Sequence, residues 1–91
     1  MEATPLAIVN SAAAALPLAD PTDKGPLATV MSEVEKLLEL TGIPAALATM
    51  ARRTARLAEL IILDDAPFEE GMVQLSEAIE RMGHALKSTG D

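Results

Sequence analysis

Three successive stretches of this chain carry apolar residues at steps of four and three, a pattern that leaves little besides a helical bundle. From Pro26 to about Thr41 the line is Leu27, Met31, Val34, Leu38 and Thr41. From Pro44 to about Leu63 it is Ile43, Leu47, Met50, Thr54, Leu57 and Ile61. After Asp65 it is Phe68, Met72, Leu75, Ile79, Met82 and Leu86. Steps of four and three return to one side of a helix, and they make the seam of helices packed at a shallow angle. Only Thr41 and Thr54 depart from it in residue type.

The turns between these stretches, around Gly42-Ile43 and Asp64-Asp65, are short enough to make sequential helices antiparallel neighbours. Gly42 suits the position just past a helix end. The Asp65 side chain is placed to cap the last helix, with Glu69 and Glu70 at the positive end of its dipole. Thr4-Pro5 reads as a cap and first position of an earlier, short helix that stops at Pro17. Residues 17–25 have linker composition. The expected fold is all-α. Residues 1–25 form a short apolar helix and linker, and residues 26–91 an antiparallel bundle of three long helices, in a single domain.

One tension remains in this pattern. Val30, Leu37, Leu60, Ile62, Leu63 and Val73 lie beside the seams yet are apolar. Leu60 to Leu63 are apolar around well over half the helix, and the N-terminal segment is apolar nearly all round. The bundle is therefore expected to lack one face, supplied by the N-terminal helix in cis or by a second copy in a homodimer. Leu60, Ile62 and Leu63 then stand as the candidate contact for a protein partner. With one Phe and no Tyr or Trp, the core is left to Leu, Ile, Val, Met and Ala. Met31, Met50, Met72 and Met82 all fall on seams, as ordinary core or as an adaptable groove. Gly71 and Gly83 flank the last seam, where a missing side chain lets a neighbouring helix come close.

Charge and composition narrow the function. The net charge is -7, with 14 acids against 7 Lys and Arg, which disfavours nucleic acid and anionic membrane as partners. The absence of cysteine removes disulfides, thiolate metal sites and cysteine nucleophiles, and a single His builds no metal cluster. No cofactor or metal is expected. There is no Gly-rich phosphate loop, Gly-x-Ser-x-Gly, His-Glu-x-x-His or EF-hand loop. Ser11, Ser32, Ser76 and Ser88 each lack the preceding Asp that an acyl carrier protein needs. A non-enzymatic interaction or assembly module is the expectation. Pro5 to Leu18 is apolar, but only Glu2 is charged before it and the first Lys is Lys24, so it reads as mature sequence of a cytoplasmic protein.

Two polar features remain. Arg52, Arg53 and Arg56 form the basic cluster of the third helix. They could dock an acidic partner bidentately, but pairing with Glu33, Glu35 and Glu39 on the neighbouring helix is the simpler expectation. His84 falls on a solvent-facing position, four residues after Glu80, in the run His84-Ala85-Leu86-Lys87-Ser88. That run resembles the core of histidine phosphotransfer domains, helical bundles with a phosphorylatable His on a helix surface. Leu and Lys follow that His at the second and third positions. The resemblance implies a signalling domain with His84 as phosphate acceptor and Lys87 steadying the charge. It covers about five residues. Ser88 stands where the family has a small Gly, and 7 residues follow His84 where the family has further helices.

Overall fold

The computed structural model describes residues 4–89, and for Ser88 and Thr89 the backbone alone. Four helices follow one another: α1 (Pro5–Ala15), α2 (Gly25–Glu39), α3 (Ala45–Ile62) and α4 (Phe68–Thr89). Among the described residues there is no strand. Each helix packs on two others, α1 and α3 both on α2 and α4, so the four close a ring in cross-section. Leu6 shares a cleft with Lys87, whereas Leu16 and Pro17 meet Met72, so α1 runs antiparallel to α4.

The face that the three seams leave open is therefore covered in cis. α1 inserts Ile8 and Val9, each 3% exposed, and a fully buried Ala12. Its start is set locally. The Thr4 hydroxyl oxygen accepts the Ala7 amide at 3.1 Å, and Pro5 brings a backbone angle already suited to the first turn. Pro17 then limits the helix to a closing 3-10 turn, Leu16–Leu18.

The link to α2 is built rather than loose. The Asp20 carboxylate accepts the Thr22 amide at 2.7 Å, the Thr22 hydroxyl at 2.6 Å and the Asp23 amide at 2.8 Å. Asp20 and Asp23 also exchange backbone hydrogen bonds of 3.1 and 3.0 Å. Asp23 accepts the Gly25 amide at 3.1 Å, satisfying an N–H at the start of α2. At the same end of the bundle, α3 stops with Asp64 in the left-handed region at φ 62. The Asp65 amide bonds the Leu60 carbonyl at 2.8 Å and the Asp64 amide bonds that of Ile61 at 3.2 Å, a Schellman closure. The Asp64 carboxylate then meets the Lys24 ammonium, tying the two connections together.

Several local expectations need correction. α2 ends at Glu39, so Gly42 lies in the following turn at φ 82 rather than beside the helix end. α4 begins at Phe68, which puts Asp65 too far upstream to cap it. The buried line of α2 is Leu27, Val30, Val34 and Leu37, with Met31 and Leu38 half-buried. That of α3 is Leu47, Ala51, Thr54, Ala58 and Ile61, with Met50 and Leu57 half-buried. Both stripes are turned by about one position from the expected seam. A helix in a four-membered ring faces two neighbours, so its buried stripe is centred between them. Ala51 and Ala58 carry little side chain, and α2 with α3 forms the most extensive helix pair. Thr54 is fully buried and its hydroxyl donates to the Met50 carbonyl at 2.7 Å, so it brings no unpaired polar atom into the core. Of the seam methionines, Met82 is fully buried, while Met31, Met50 and Met72 lie at the core margin.

Candidate functional site

The surface between α1 and α4 is a groove rather than a filled seam. α4 presents a second line of residues, Val73, Glu77, Glu80, His84 and Lys87, again stepping by four and three. At about 100° per residue this line is centred roughly 150° from the buried Leu75, Ile79 and Met82, on the exposed side of α4, with Glu80, His84 and Lys87 edging one recess beside α1 and Val73 and Glu77 the other. Opposite it, α1 offers Asn10 and Ala13, side chains too small to close the gap. Gly83 widens the gap further, since a Cβ placed there would meet nothing nearer than Val9 Cγ1 at 3.9 Å. Two recesses result, of 270 and 480 Å³, and they share Ala13, Leu16 and Ser76, so they adjoin along the groove.

Its walls differ in charge. α1 has no ionisable residue in Pro5–Ala15. The α4 wall carries the acids Glu77 and Glu80, then the His84 imidazole and the cation Lys87. Glu80 and His84, four residues apart, are not paired. Ion pairs among the described residues join Lys24 to Asp64, Lys36 to Glu33 and Arg56 to Glu59, so none of the groove's charged groups is in one. The apolar end of the groove opens on Pro17, Met72 and Val73. Val73 is 61% exposed and Leu18, next to Pro17, is 69% exposed.

The residues singled out from the sequence lie elsewhere. Arg52, Arg53 and Arg56 are exposed on the outer face of α3, and Leu60 falls on that face at 100° per residue. The expected cross-helix pairing with Glu33, Glu35 and Glu39 is not formed. Arg56 pairs with Glu59 of its own helix at 2.7 Å, and Glu33 with Lys36 at 3.2 Å. Glu35 and Glu39 are exposed on α2 and enter no ion pair among the described residues. Leu60 is half-buried and Leu63 is 59% exposed at the helix end. Ile62 turns inward and packs on the core margin, which removes it from an outer contact face. None of these six lines the groove. His84 is exposed as expected and, with Lys87, belongs to the groove's rim.

Among the described residues no group of three or more His, Asp or Glu is placed to hold a metal ion. No helix among them is long and apolar enough to cross a membrane. No family model, curated protein or solved structure matches this chain.

Proposed function

We propose that this chain is a non-enzymatic interaction module that seats a protein partner in the groove between α1 and α4. The observation that carries the reading is the pair of adjoining, apolar-floored recesses between α1 and α4, with an apolar side chain, Val73, 61% exposed at one end. Contiguous apolar surface bordered by polar groups is the usual form of a contact site, and a groove between helices suits a helical segment of a partner. The partner is a protein, with a second copy of the chain as the other candidate, and neither nucleic acid nor membrane suits the net charge of -7. We place the protein in the cytoplasm.

A photo-crosslinking residue at Ser76, in the groove, tests this in cells against the same residue at Arg53 on the outer face of α3. Adducts are expected from position 76, and Ala13→Trp should abolish them by filling the groove. Adducts from position 53 alone would overturn the reading and move the site to the Arg52–Leu63 face.

A second reading is phosphotransfer through His84, with Lys87 steadying the phosphoryl charge. One observation favours it: both side chains are exposed along a single groove wall. Mixing with phosphorylated receiver domains should then label His84. No label from several receivers, with the protein folded, would reject it.

A further inference from the structure

We infer that the groove selects a cationic amphipathic helix of another protein and docks it parallel to α4. This rests on the interaction reading above and adds the chemistry and direction of the occupant. From Val73 to Lys87 the α4 side of the groove covers 15 residues, a rise of about 21 Å at 1.5 Å per step, the length of a helix of about four turns. Val9, Leu16, Ile79 and Met72 line the floor, so the occupant brings an apolar stripe.

Charge decides the rest. The neutral α1 wall contributes no cation to offset Glu77 and Glu80. Both acids stay outside the chain's ion pairs among the described residues. Upstream on α4, Glu69 and Glu70 are also exposed. Lysines or arginines flanking the occupant's apolar stripe therefore find carboxylates on the rim, and an acidic helix is repelled. The sign reverses at Lys87, where α4 nears its end. A helix carries its positive pole at the N-terminus and its negative pole at the C-terminus. The favourable orientation puts the occupant's N-terminus by Val73 and its C-terminus by Lys87, the direction in which α4 runs.

Three labelled 16-residue peptides with one apolar stripe, and with Lys, Gln or Glu at the polar positions, test this by fluorescence anisotropy against the whole chain. The Lys peptide should bind about tenfold tighter than the Gln peptide at low salt, and the Glu peptide weakest. Glu77→Gln with Glu80→Gln should remove most of that preference. Glu35→Gln with Glu39→Gln, the same charge change on α2 across the bundle, should leave it within about twofold. A spin label at the Lys peptide's N-terminus should broaden the amide of Val73 and spare that of Lys87.

Equal binding of the Lys and Gln peptides would overturn this inference while leaving the groove as a helix site. So would equal losses in the two double variants, or broadening at Lys87 instead of Val73. Binding by none of the peptides, or binding indifferent to Ala13→Trp, would reject the groove itself along with the inference. Concentration-dependent growth in mass without peptide would make a second copy the occupant and refute a separate partner.

Discussion

Gly71 and Gly83 are one residue type in one helix, yet they do opposite things. A Cβ at Gly71 would stand 2.7 Å from Ile61 Cγ1 and Cδ1, so the missing side chain is what lets α3 and α4 meet there. A Cβ at Gly83 would make only an ordinary contact with Val9 at 3.9 Å. Gly71→Ala should therefore destabilise the fold by about 1–2 kcal/mol, overpacking outweighing the gain in helix propensity. Gly83→Ala should stabilise it by about 0.5–1 kcal/mol. Urea unfolding of the two variants checks this, and a shift of the same sign in both would contradict it. Asp20 supplies a pH-dependent counterpart. The Thr22 hydroxyl, followed by the Thr22 and Asp23 amides, holds its carboxyl below the usual value of 3.8. A depressed carboxylate adds stability above the unfolded value and loses it as pH falls through the folded one. The Asp20 carboxyl should titrate below 3.8 by carbon NMR, and Thr22→Val should move its midpoint upward.

At the scale of the element, α1 is the helix whose placement the sequence left undecided. Its apolar surface can be buried equally by folding back or by a second chain, and periodicity does not distinguish the two. The packing of Ile8, Val9 and Ala12 against α2 and α4 settles which arrangement the fold adopts. Ile8→Ala should then cost about 2–4 kcal/mol in thermal or urea unfolding, as a core residue in any other helix would. A loss under 0.5 kcal/mol would mean α1 is not part of the cooperative unit. The three longer helices were legible because their seams are long and regular. Their exact facing was not, because Ala51 and Ala58 count as neither clearly apolar nor clearly surface, yet both are fully buried. The groove was half legible. Val73, Glu77, Glu80, His84 and Lys87 repeat every four and three residues, but a mostly charged line reads as a solvated face. That some of these side chains edge the recesses shows only once α1 is known to lie alongside α4.

The whole molecule has two unlike ends. Leu18, Leu63 and Val73, at 69%, 59% and 61% exposed, all lie at the end where Lys24 joins Asp64. That end also carries Asp20, Asp23, Asp65, Glu69 and Glu70 at the surface. His84 and Lys87 lie toward the other end, along the same groove. With a radius of gyration of 12.5 Å, close to the ~12 Å expected for a folded chain of this length, the bundle needs no second copy to be compact. The binding proposed for it then rests on α1 holding its place as the groove's second wall. Native-state amide hydrogen exchange measures that most directly. Protection of Val9 and Ala12 within about tenfold of that of Leu75 and Ile79 is the expected result. Exchange of the α1 amides faster by about a thousandfold or more, with α2 to α4 still protected, would show that α1 opens alone and that the groove is not a standing feature of the fold.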